Sequence, residues 1–127
     1  MNYELAKWRM DKAEKTFQEG CHLLKANFLS GAVNRFYYAA FSGVRALLAT
    51  KDLDASKHSG VISLFNKEFV KDGIVSKKAS KTITKVFSER SHADYTDFKE
   101  FEFTEVQTLK DEVEELLDEF KNYLGRK

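Results

Sequence analysis

The stretch SERSHADYTDF, residues 88–98, concentrates the polar chemistry of this chain. Within six positions it supplies Arg90, His92, Asp94 and Tyr95. An arginine stays protonated and grips phosphate with a planar fork of donors. A histidine two residues later titrates near neutral pH and can carry a proton. Together they are a reasonable kit for cleaving a phosphodiester without a metal, one group moving a proton while the other stabilises developing charge. Caps and salt bridges at a helix end use the same residue types, so spacing alone leaves both readings open.

The segment before this cluster reads as a helix from about Ser76 to Arg90. Lys77, Lys81 and Lys85 share one face, with Lys78 beside them, and Ala79, Ile83, Val86 and Phe87 form the opposite stripe. Arg90 falls within the apolar stripe. A guanidinium aimed inward must be paired, because an unpaired buried charge is costly. Along the sequence the candidate partner is Asp94, four residues on.

A second polar group sits on an apolar helix expected from Ser30, as N-cap, to Thr50. Its apolar side holds Val33, Phe36, Tyr37, Ala40, Phe41, Val44, Leu47 and Leu48. At about 100° per residue, Asn34, Tyr38 and Arg45 line up beside that side, with Arg35 and Ser42 a little further round. No face is freely charged, which places this helix mid-bundle or in a subunit interface. Its polar strip must meet a neighbouring helix, a second subunit or a ligand. Tyr37 and Tyr38 read first as core and interface aromatics, and Asn34 and Arg45 as the stronger site candidates.

Three more helices complete the set. Helix one runs from about Tyr3 to Leu24 with Ala6, Met10, Ala13, Phe17, Gly20, Cys21 and Leu24 on one face; Trp8 and Leu5 fall off it and suggest a second contact surface. Helix three starts near Ser56 and stops before Gly73, with His58 in its first turn. There the helix dipole disfavours the imidazolium, so a neutral, hydrogen-bonded histidine is expected. Helix five opens at Thr104, where Thr104 and Gln107 match a capping box. The expected fold is all-α, an up-and-down bundle of four to five helices in one domain, residues 1–127.

The totals exclude several classes. With 43% hydrophobic and 32% charged residues, the chain is globular rather than disordered. No apolar run approaches the roughly 18 residues of a membrane span. A single cysteine, Cys21, rules out an internal disulfide and suits a reducing cytoplasm. The net charge of +1 announces no nucleic-acid binder, yet its distribution is uneven. Lys67 to Arg90 holds seven basic and three acidic residues, and Asp94 to Glu119 two basic and eleven acidic. Two helices of opposite sign pairing with each other is the expected outcome, with partner steering as the alternative. No phosphate loop, metal-binding set or serine nucleophile motif stands out, and no cofactor is expected.

Three segments, NRFYYAAFSGVRALL at 34–48, KHSGVISLFNKEFV at 57–70 and RSHADY at 90–95, carry a resemblance to a known family. In order and spacing the chain resembles the HEPN family over most of its length, in particular the prokaryotic branch whose motif reads Arg, two variable residues, Ala-Asp-Tyr. The resemblance implies a helical bundle that forms a homodimer with its site at the dimer interface. It also implies pairing with a minimal nucleotidyltransferase, often as a toxin–antitoxin system. Many members are metal-independent ribonucleases with an arginine, four to six intervening residues and a histidine. Here Arg90 matches the arginine, the position after four residues is Tyr95, and no histidine follows.

On that basis the catalytic set is Arg90 with His92 and Tyr95, and Tyr95 is the tyrosine that a partner would modify with AMP. Asn34, Tyr38, Arg45, His58 and Asp94 are the nucleotide- or RNA-binding set. Three functions follow: a dimeric interaction protein holding a nucleotide or RNA phosphate at Arg90, a ribonuclease toxin, or a structural helical subunit whose polar corner satisfies itself.

Overall fold

Three reversals of the chain among the described residues are built on a residue tolerant of left-handed backbone. Asn27 (φ 65°), Asp52 (φ 56°) and Gly73 (φ 74°) stand just past the ends of three helical segments. At each, the next amide closes onto a carbonyl five residues back: Phe28 to Leu23 at 2.8 Å, Leu53 to Leu48 at 3.0 Å, Ile74 to Phe69 at 2.9 Å. These are Schellman closures, which satisfy carbonyls that a helix end would otherwise leave open. Asn and Asp substitute for Gly because their short polar side chains tolerate this conformation.

The structure, a computed structural model, describes residues 2–95 and 99–125, except the side chains of His92, Asp94 and Tyr95. Among the described residues are α1 (Tyr3–Lys25), α2 (Leu29–Ala49), α3 (His58–Phe65), α4 (Lys77–Tyr95) and α5 (Phe103–Gly125). A π-helical turn, Asn66–Val70, extends α3. No strand occurs among the described residues. The expected all-α bundle is what forms, with successive long helices antiparallel. Glu14 of α1 meets Lys121 of α5, and Lys78 and Lys85 of α4 meet Glu115 and Glu112 of α5.

Helix α2 is the central element, with twelve of its 21 residues buried. Two glycines let its neighbours approach. A Cβ built on Gly20 of α1 would lie 2.6 Å from the Phe36 ring, and one on Gly43 of α2 would lie 2.9 Å from Leu117 of α5. Those distances are below contact, so the helices pack closely only because these side chains are absent. Phe65, Phe69 and Phe120 are fully buried at the far end of the bundle. Trp8, off the core face as expected, is 62% exposed.

The two oppositely charged segments pair as expected. Lys78 Nζ lies 2.8 Å from Glu115 and Lys85 Nζ 2.5 Å from Glu112. Ser76 donates its backbone amide to Glu119 at 2.8 Å, while its hydroxyl accepts from the Ala79 amide at 3.1 Å and caps α4.

Three helix boundaries differ from the sequence reading. Helix α2 begins at Leu29 with Phe28 in the cap position, so Ser30 is already helical and caps nothing. The Schellman closure at Asn27 sets that start instead. Helix α5 begins at Phe103, one residue before the expected box; Glu105 reaches back to the Glu102 amide at 3.1 Å, so the reciprocal pair is 102/105 and not Thr104/Gln107. Helix α4 runs on to Tyr95 rather than stopping at Arg90. The RSHADY segment is therefore helical backbone, not a corner.

Candidate functional site around Arg90

Arg90 projects from the apolar side of α4 toward α2, as its place in the stripe implied. It donates from Nη2 to the Tyr38 hydroxyl at 3.2 Å. Its guanidinium lies 5.2 Å from the centre of the Tyr37 ring and 5.7 Å from that of Tyr38. Cation–π attraction and a hydrogen bond from a charged donor together hold a partly buried cation against an aromatic wall. Two consecutive tyrosines make that wall, their rings edge to face at 5.0 Å. The Asp94 side chain, the partner expected from sequence, lies outside the described residues, as do those of His92 and Tyr95.

The first residue of α3 closes the group. His58 Nδ1 is 2.7 Å from the Tyr37 hydroxyl, and its ring lies 4.2 Å from that of Phe41. Burial, aided by the nearby positive charges of Arg90 and Arg45, holds the imidazole pKa below its ordinary value. The neutral, hydrogen-bonded histidine expected from the sequence is what the geometry supports. Tyr37 is 1% exposed, and burial pushes its phenol up to about 12. It stays protonated at neutral pH.

Arg45 serves a neighbouring feature. Its Nη2 donates to Asp54 at 2.9 Å, and Arg9 of α1 adds a bond to the same oxygen at 3.3 Å. The hydrogen bond from Arg45 is the chief reason that the Asp54 carboxyl titrates below its usual range. Arg45, Asp54, Ser56, Lys57 and His58 line a groove of about 370 Å³ beside Phe41. Asn34 lies about three turns from Arg45 along α2, and its Oδ1 accepts from Arg35 at 2.8 Å. Arg35 in turn lies over the Tyr38 ring at 5.3 Å.

Of the residues named from sequence, the structure thus gathers Arg90, Tyr38 and His58 into one cluster and joins Arg45 to it through the groove. Asn34 contributes indirectly, through Arg35. Sequence reasoning gave Tyr37 to the core and passed over Asp54. Tyr37 belongs to both core and site, and periodicity had no means to separate it from Phe36. Asp54 lies in the connection between α2 and α3, where helical spacing carries no information. Among the described residues no group of three or more His, Cys, Asp or Glu side chains could hold a metal ion.

Comparison with known proteins agrees with this architecture. The family model described as "HEPN domain" matches residues 6–123. A Thermotoga maritima protein named "UPF0332 protein" is 40% identical over 121 residues, covering 90% of this chain and 91% of its own. Two Methanocaldococcus jannaschii proteins, named "Putative toxin MJ0142" and "Putative toxin MJ0605", are 35% and 37% identical. They cover 91% and 88% of this chain and 78% and 83% of their own lengths. With a match across nearly the whole bundle, and with α2 and α4 meeting at Arg90, the chain belongs to the HEPN family.

Proposed function

We propose that this protein is a toxin-like HEPN component that binds the phosphate of a nucleotide or RNA at Arg90 and works with a minimal nucleotidyltransferase partner. One observation carries the reading: a guanidinium embedded against Tyr37 and Tyr38, with a neutral histidine from another helix on the same wall. A planar cation backed by aromatic rings is preorganised to receive a phosphate, since its own side-chain entropy is already spent. The relatives named as toxins support a toxin–antitoxin type of partnership. The partly exposed rim of α2 and α4, with Tyr38, Phe41 and the 38%-exposed Phe87, is a suitable face for a homodimer. Among the described residues no helix is long and apolar enough to cross a membrane, and we assign the protein to the cytoplasm.

A second reading, a metal-independent ribonuclease, is favoured by the same embedded guanidinium, positioned to stabilise charge developing on a phosphate. In that version Arg90 acts with His92 or Tyr95 on the same helix. One experiment orders the readings. RNA is incubated in chelator with wild type and with Arg90→Ala, and AMP binding is followed by calorimetry on both. Binding without cleavage, lost in Arg90→Ala, supports the first reading. Metal-free cleavage that depends on Arg90 supports the second, and activity or binding indifferent to Arg90→Ala rejects both.

A further inference from the structure

The Tyr37–His58 contact fixes more than a position. A phenol with 1% exposure keeps its proton and must place it on an acceptor. Its ring packs with those of Tyr38, Phe41 and Phe87 and against the guanidinium of Arg90, and among the described residues its hydroxyl has one hydrogen-bond partner, His58 Nδ1 at 2.7 Å. If Nδ1 carried the imidazole proton instead, it would donate to the Tyr37 oxygen and the buried phenol proton would have no acceptor among these groups. A neutral imidazole that accepts at Nδ1 carries its proton at Nε2. His58 also lines the groove shared with Arg45, Ser56 and Lys57. One wall of that groove is the Asp54 carboxylate, held by Arg45 and Arg9, which leaves Lys57 and the imidazole as its remaining polar side chains able to serve an anion, with Ser56 beside them.

We propose that Tyr37 is a positioning residue that locks His58 in its Nε2–H tautomer, and that this N–H is a donor to a phosphoryl oxygen seated in the groove beside Arg45 and Lys57. The groove then gives the phosphate held at Arg90 a second set of contacts, a neutral donor and one lysine. The assignment rests on the phosphate-binding reading of Arg90 and extends it to a second contact. It makes the site's donor independent of proton uptake: His58 serves the anion while neutral.

Nitrogen-resolved NMR of the histidine rings, with AMP as the probe, tests both parts. His58 is identified by its loss in His58→Gln. The expected wild-type pattern is a protonated Nε2 and a bare Nδ1, with Nε2 moving on AMP addition. In Tyr37→Phe, which keeps the ring and the packing, the Nδ1–H form becomes populated and AMP binds about two- to tenfold more weakly. His58→Gln, which retains an N–H donor at the corresponding position, binds better than His58→Leu. A protonated Nδ1 in the wild type overturns the proposal, as does a Tyr37→Phe variant with unchanged tautomer and affinity. If AMP shifts the Arg90 side-chain resonance and leaves His58 unmoved, the groove contact fails while the Arg90 reading stands. If neither responds, both fail.

Discussion

Helix α4 carries cations on two flanks, and the bundle treats them in opposite ways. Toward α5, Lys78 and Lys85 reach acidic partners, the first pair well exposed and the second partly so. Toward α2, Arg90 leaves the solvent and rests on two tyrosines. The first flank spends charge on pairing in water, where such contacts contribute little because hydration competes for both partners. The second sets aromatic surface against a cation that water no longer fully solvates. The difference is between a charged seam along two helices and a contact that fixes one guanidinium against α2.

The largest expected effect on stability comes from removing that group. Arg90→Ala should lower unfolding free energy by about 2 kcal/mol, through lost cation–π attraction and lost stem packing. Urea titration checks it, and a loss no greater than for a seam lysine would erase the distinction drawn above. Tyr37→Phe comes next, with a cost of about 1 kcal/mol for one buried hydrogen bond; a neutral result would mean that His58 finds another donor. Smaller again is Lys85→Ala, under about 0.5 kcal/mol. Moderate salt should shrink that difference and leave the Arg90→Ala difference nearly unchanged, since exposed pairs are screened and embedded ones much less so.

Acidification sharpens the same contrast. Folding depresses the His58 pKa, so the unfolded chain takes up this proton at higher pH than the native protein does. The stability tied to the neutral ring is intact above the ordinary value of 6.5 and is lost progressively as pH falls from there through the folded value. His58→Gln should flatten that part of a stability–pH curve measured by denaturation. Asp54, depressed by Arg45, loses its contribution in the same direction at lower pH, as the solution passes below the usual carboxylate value of 3.8 toward its folded one.

The bundle was largely legible in the chain because helical spacing repeats over long, uninterrupted segments. The inward turn of Arg90 was legible for the same reason: it shares a stripe with Ile83 and Val86. What spacing missed is local or non-periodic. The starts of α2 and α5 were displaced because Asn27 and the Glu102–Glu105 reciprocal pair outcompete the hydroxyl caps at Ser30 and Thr104. Helix α4 passes through the expected corner because nothing in the SHADY segment, without proline or glycine, compels a stop. Within the site, Tyr38 and His58 were found as polar groups needing partners. Tyr37 reads as a core or interface aromatic because its ring satisfies the core pattern, and spacing says nothing of where its hydroxyl points.

The left-handed closure at Asn27 has a consequence for how the site comes together. It joins α1 and α2 through a tight, locally bonded reversal, so their interface, including the approach of Gly20 to Phe36, is encoded in the first 49 residues. Contacts this near in sequence cost less loop-closure entropy than distant ones. The aromatic wall therefore belongs to a locally specified helix pair, and the Arg90–Tyr38 contact, 52 residues apart, is the long-range link that completes the site.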